Sequence, residues 1–202
     1  MGDPETSVET PRGPAAIRIT KPAGPAASLL VLGHGAGGGV DAPDLTAVHD
    51  AAVASGVLVA LVTQPYRVAG RRAPAPAAQL DEAWTAVVRQ IGVPDLPLIV
   101  GGRSSGARVA CRTATALGAA GVLCLAFPLH PPGRPEKTRV SELPAGLPTL
   151  VLNGDRDPFG MPAATCNVEV EVIPGATHDL RKDLKTTAAL ALAWLRDHNW
   201  AT

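Results

Sequence analysis

The chain has few aromatic residues: one tyrosine, two phenylalanines and three tryptophans, 3% of 202 residues. It has no net charge either, with 18 lysines and arginines against 18 aspartates and glutamates. Without a basic block or interleaved aromatics there is no electrostatic footprint for nucleic acid, and no pull toward an anionic membrane surface. No apolar run is long enough to span a bilayer. The start, M-G-D-P-E-T-S-V-E-T-P-R-G-P, has no hydrophobic segment of the signal-peptide kind. Its Met1-Gly2 pair is followed by Asp3 and Pro4, poor company for N-myristoylation. Cysteines number only three: Cys111, Cys124 and Cys166. An odd count without metal-ligand spacing gives no metal site and reads as reduced thiols in a cytoplasmic protein.

What is present is 46% apolar residues, 21 glycines and 20 prolines, enough for a real core in one domain. Residues 1–14 read as a flexible lead-in and 15–202 as a single domain. Short apolar runs at 29–32, 57–62, 98–100, 122–127, 149–152 and 168–173 alternate with helical patterns at 44–54, 80–91, 105–117 and 182–197. The first four runs are nearly continuous, as strands covered on both faces must be. The last, V-E-V-E-V-I, alternates as an edge strand would. The expected fold class is α/β, a mostly parallel sheet of about six to seven strands with helices on both faces. Ligands in such sheets sit beyond the carboxyl ends of the strands, where the glycine-rich and polar clusters of this chain fall. Trp84, Trp194 and Trp200 read as helix packing.

One of those clusters is G-G-R-S-S-G-A-R, residues 101–108. A serine presented for attack on a sharp strand-to-helix turn tolerates only small residues two places before and after it. Ser104 has Gly102 and Gly106 there; Ser105 has Arg103 and Ala107. The spacing selects Ser104. A glycine-rich turn whose serine caps the helix would also explain the pattern, so further partners are needed. A nucleophilic serine requires a base, a group that orients the base, and donors for an oxyanion. On such turns the chain order is serine, acid, histidine. His178, in P-G-A-T-H-D-L, satisfies it; His34 and His130 come before the acid, and His49 and His198 read as helix positions. N-G-D-R-D-P-F-G offers Asp155 and Asp157. Asp157, farther out and fixed by Pro158, is preferred, with Asp155 holding the turn. Asp179 adjoins His178 too closely in sequence to face it. The main-chain N–H groups of Ser105 and Ala36 are the expected oxyanion donors.

Gly33–Gly38 also matches G-x-G-x-x-G after a strand, the dinucleotide fingerprint. The next strand ends T-Q-P-Y-R without the acid that would hold a ribose, although Arg67 has the charge for a cofactor phosphate. Residues 40–43 separate the third glycine from the helix. No cofactor is expected.

Taken together, H-G-A-G-G (34–38), P-Y-R…G-R-R-A-P (65–74), G-G-R-S-S-G-A-R (101–108), P-L-H-P-P-G-R-P-E (128–136), N-G-D-R-D-P-F-G (153–160) and G-A-T-H-D-L (175–180) resemble the α/β-hydrolase superfamily. The likeness is to its small dienelactone-hydrolase-like subgroup, which includes a testis-expressed protein and a hydrolase-like subunit of a chromatin-modifying complex. The resemblance implies Ser104, Asp157 and His178 as a triad. Relatives often carry a bulkier residue and a second glycine where this chain has Ser105-Gly106-Ala107, which bears on pocket shape. Residues 128–148 leave no room for a helical lid, so the site is expected to be open and suited to small esters or thioesters. His34, Tyr66, Arg67, His130 and Phe159 are candidate substrate contacts. Arg67, Arg71, Arg72 and Arg103 would suit an anionic substrate, or are solvated loop residues. A hydrolase-like scaffold that binds a partner without turnover is the alternative, and transferase or lyase chemistry stays open.

Overall fold

The computed structural model describes residues 4–92 and 95–202; Met1 and Gly2 lie outside them. The strands are β1 (Thr6–Val8), β2 (Ala15–Thr20), β3 (Ser28–Gly33), β4 (Val57–Thr63), β5 (Leu98–Arg103), β6 (Gly121–Leu125), β7 (Thr149–Gly154) and β8 (Val168–Ile173). The helices are α1 (Pro43–Ala54), α2 (Pro65–Val68), α3 (Ala77–Ile91), α4 (Ser105–Leu117) and α5 (Leu184–Asp197). All eight strands form one sheet in the order β1-β2-β4-β3-β5-β6-β7-β8, parallel from β4 to β8.

The sheet is larger than the six to seven strands expected from sequence. Both additions lie at its antiparallel end, where β1 pairs with β2 and β2 with β4. The flexible lead-in of the sequence reading is therefore corrected: Thr6–Val8 is a strand, and Val8 is buried against the core. At the other end β8 is the edge, with Glu169 and Glu171 exposed.

Side-chain alternation divides each central strand between two cores. Leu29, Val31, Val100, Val122, Cys124 and Val151 pack with α3 and α4, which supply Trp84, Val87, Ala107 and Cys111. Leu30, Leu32, Ile99, Leu123, Leu125, Leu150 and Leu152 pack with α1 and α5, which supply Leu45, Val48, Trp194 and Leu195. Such continuous runs make sense only under two helical layers. Trp200 joins Trp194 edge-on at 5.2 Å, and together they crowd Gly121, where a Cβ would fall 2.5 Å from the Trp200 ring. Cys111 and Cys124 are buried free thiols with sulfurs 3.4 Å apart.

The strand order places the chemistry. From β3 the chain turns to α1 on one face; from neighbouring β5 it turns to α4 on the other. The connections diverge there and leave a crevice beyond the carboxyl ends of β3 and β5. Between β6 and β7 the only helical piece is one 3-10 turn, Val140–Glu142, and no lid covers that crevice.

Candidate active site

Ser104 occupies the turn from β5 into α4, with φ +52° and ψ −109°. A non-glycine residue is strained there, and surrounding structure must hold it. Its neighbours show how. A Cβ on Gly102 (φ +155°) would fall 2.4 Å from the Gly33 carbonyl oxygen, and one on Gly106 would fall 2.4 Å from the same oxygen and 2.9 Å from the His34 carbonyl oxygen. The two glycines let α4 and β5 close onto the end of β3, which thrusts residue 104 into the crevice. Gly106→Ala meets main-chain atoms, with no flexible tip to swing aside. It is expected to destabilise the fold by about 1–3 kcal/mol as an overpacked site, measurable by denaturant unfolding.

The Ser104 hydroxyl lies 2.8 Å from His178 Nε2, and His178 Nδ1 lies 2.8 Å from Asp157 Oδ2. Asp157 is almost wholly buried, at 1% side-chain exposure, while His178 keeps 19%. Asp157 Oδ2 also accepts from Asn153 Nδ2 (3.1 Å), and Oδ1 accepts from the Phe159 N–H (2.9 Å). With every donor aimed at the carboxylate, Nδ1 of His178 is the protonated ring nitrogen and Nε2 is free to accept from Ser104. The Phe159 ring covers the imidazole, centroids 4.2 Å apart. Asp155 takes the Gly175 N–H at 2.7 Å and so holds the turn that leads to His178.

The loop after β3 lies against the serine: a Cβ on Gly35 would stand 3.6 Å from Ser104 Cβ. Among the described residues neither the Ala36 nor the Ser105 N–H has an acceptor. Ser105 is the first residue of α4, where N–H groups are unpaired by geometry and the helix dipole favours negative charge. Three such features, a hydrogen-bonded serine, an oriented imidazole and free main-chain donors, can together support nucleophilic attack on a carbonyl.

A protein-family model described as an alpha/beta hydrolase domain matches residues 26–196. The chain belongs to the α/β-hydrolase family. No curated protein matches its sequence. Among solved structures, this α/β-hydrolase is similar to an alpha-beta serine hydrolase homologue from Coxiella burnetii at 20% identity and a TM-score of 0.78, over 96% of this chain and 97% of that one. A Xanthomonas campestris serine hydrolase without lid also aligns at 20% identity and a TM-score of 0.78, over 100% and 97%. A dienelactone hydrolase from Anabaena variabilis aligns at 19% and 0.74, over 96% and 97%. At these identities the likeness is one of fold.

Other candidate residues of this α/β-hydrolase take supporting places. His34 is 3% exposed; Nδ1 donates to Gly35 O at 2.8 Å and Nε2 accepts the Gln64 N–H at 3.1 Å. Tyr66 is buried too, its hydroxyl donating to Ala36 O at 2.7 Å. Both candidate substrate contacts brace the glycine loop, which has few side chains of its own to hold it, and both line a small cavity with Ser105 and Gly106. Burial keeps His34 neutral, its pKa below the ordinary 6.5. A depressed histidine contributes stability that is present above pH 6.5 and is lost as pH falls toward its folded value. Unfolding midpoints measured between pH 7.5 and 5.5 should therefore fall more steeply for the wild type than for His34→Gln.

Arg67 donates to the Arg71 carbonyl at 3.1 Å, while Arg71 and Arg72 are exposed. His130 sits half-buried beside Gly160, its main-chain N–H on Phe159 O. Arg103 is not free for substrate: it is committed to Asp44 and to the carbonyl of His178. Sequence reasoning missed Asn153 and Asp44. Asn153 stands in the quoted N-G-D-R-D run and was within reach; Asp44, on another helix, carried no such signal.

Proposed function

We propose that this α/β-hydrolase is a serine hydrolase that cleaves small carboxylic esters or thioesters through an acyl-enzyme. The observation that carries the reading is the chain Asp157–His178–Ser104, with 2.8 Å at the two links on the imidazole. Ser104 Oγ attacks the carbonyl carbon while its proton passes to His178 Nε2. Asp157 holds the ring and stabilises its cationic form, and the Ala36 and Ser105 N–H groups receive the oxyanion. The intermediate collapses, the C–O or C–S bond breaks, and His178 returns the proton to the leaving group. Water then attacks the acyl carbon by the same route and releases the acid. No cofactor or metal enters this scheme, and no group of metal-ligating side chains occurs among the described residues.

The absence of a lid supports small or exposed esters over long lipids. The sequence motifs favour the dienelactone-hydrolase-like branch that includes the testis-expressed protein. A cytoplasmic setting is part of this reading and rests on three unpaired thiols, Cys111 and Cys124 buried and Cys166 exposed; no helix among the described residues is long and apolar enough to cross a membrane. Arg67, Arg71 and Arg72 would favour an anionic substrate; comparing neutral and anionic esters of equal size tests that. The reading itself is tested by intact mass after incubation with a fluorophosphonate: a single adduct is expected. A folded protein that takes no adduct would favour a partner-binding scaffold.

A further inference from the structure

Arg103 stands immediately before Ser104, yet its side chain turns away from solvent. Nε donates to Asp44 Oδ2 at 2.8 Å, and Nη2 donates to the main-chain carbonyl of His178 at 3.1 Å. Nη1 lies against the loop after β3, where a Cβ on Gly35 would stand 2.9 Å from it. One planar group thus touches the first turn of α1, the histidine loop and the oxyanion loop. Asp44 is 0% exposed, and its other oxygen accepts the Leu45 N–H at 3.0 Å.

The histidine loop is also secured on its approach. The Gly175 N–H donates to Asp155, and the Ala176 carbonyl accepts from the Arg156 N–H. Past the imidazole, Asp179 pairs with Thr177 and Arg181 at exposed positions. Two residues on, Leu180 is buried in the core and its N–H donates to the Thr177 carbonyl at 3.1 Å; Arg103 is the side chain that holds the His178 carbonyl itself.

We infer that Arg103, held by Asp44, is a positioning residue: it fixes the main chain of His178 relative to Ser104 and the oxyanion loop. The inference rests on the proposed serine-hydrolase reading for its kinetic consequence. Lysine cannot replace arginine here, because an ammonium is one point where the guanidinium reaches three groups. Asp44 does two things. It orients the fork, and it neutralises a cation beside an imidazole that must itself become positive during turnover.

The test compares wild type with Arg103→Met, Arg103→Lys and Arg103→Met/Asp44→Asn. Displacing a base by about an ångström costs on the order of 100-fold. Both single variants should therefore lose about 30- to 100-fold in kcat and in fluorophosphonate labelling rate, with KM within about twofold. Arg103→Met also leaves the Asp44 carboxylate buried without its partner, so Tm falls. In the double variant that carboxylate is gone and Tm should recover, because removing both partners costs less than removing one. The labelling rate should stay low. Labelling of the double variant within about threefold of wild type would reduce Arg103 to a stabilising contact and overturn the inference, as would wild-type rates in Arg103→Met. Absence of any wild-type adduct would sink the serine-hydrolase reading instead. The positioning claim then stands or falls on the ring N–H resonance of His178. A shift or broadening in Arg103→Met relative to wild type supports it, and an unchanged signal overturns it.

Discussion

Ser104→Ala is expected to abolish the fluorophosphonate adduct and to lower ester turnover by about 10⁵-fold or more, leaving only what the oxyanion donors and binding provide. The adjacent Ser105→Ala should label within about threefold of wild type. The contrast follows from geometry. Ser104 Oγ is 2.8 Å from His178 Nε2, whereas the part proposed for Ser105 is that of its main-chain N–H at the start of α4, which alanine keeps. Neither variant should harm the fold. Ser104 makes its anchoring bond, to Leu125 O at 2.9 Å, through its own main-chain N–H, and alanine adds no bulk at φ +52°. Intact mass and turnover on one short ester decide the matter. An adduct that persists in Ser104→Ala and disappears in Ser105→Ala would reverse the assignment.

That the sequence distinguishes two neighbouring serines shows what kind of information it carries. Gly102 and Gly106 mark residue 104 because they sit where two backbones meet, and no other residue type fits. The parallel strands were legible for a similar reason: burial on both faces leaves runs such as L-L-V-L and V-L-V-A-L-V that nothing else explains. The antiparallel end was hidden. In β2, A-A-I-R-I-T alternates too briefly to stand out, and β1 is three residues with one buried side chain, Val8. The strand character of β2 comes from pairing with β4, a partner far away in the chain, and that of β1 from pairing with β2 in turn. The same limit applies within the site. Asp157 and His178 were legible because each follows a strand and the chain order restricts the choice. Arg103 and Asp44 meet across 59 positions, on two elements brought together only by the crossover at β3 and β5. The bracing of the glycine loop by His34 and Tyr66 was hidden in the same way, since the hydrogen bonds of both side chains are set by the folded loop. The fold buries both residues because a loop so poor in side chains must be held from behind.

Asp157→Asn is expected to lower kcat by about 10⁴-fold with little change in KM or in the fold, a loss of the size known when an orienting carboxylate becomes an amide. Both oxygens of Asp157 are acceptors. Oδ2 receives His178 Nδ1–H and Asn153 Nδ2–H, and Oδ1 receives the Phe159 N–H. An asparagine has one oxygen and one NH₂ for these two places. With its oxygen toward the imidazole, its NH₂ confronts the Phe159 N–H and leaves that donor unpaired. With its NH₂ toward the imidazole, Nδ1 must become the acceptor, so the ring proton moves to Nε2 and points at Ser104. The serine then has no base. Either orientation also removes the negative charge that stabilises the imidazolium of the transition state. Asp155→Asn and Asp179→Asn lie outside this set, on the turn at Gly175 and at the exposed Thr177–Arg181 cluster, and should retain turnover within about tenfold. Turnover of the three variants on one substrate therefore reads the role of the carboxylate directly. If Asp157→Asn kept activity within tenfold while Asp155→Asn lost it, the orienting acid would be Asp155.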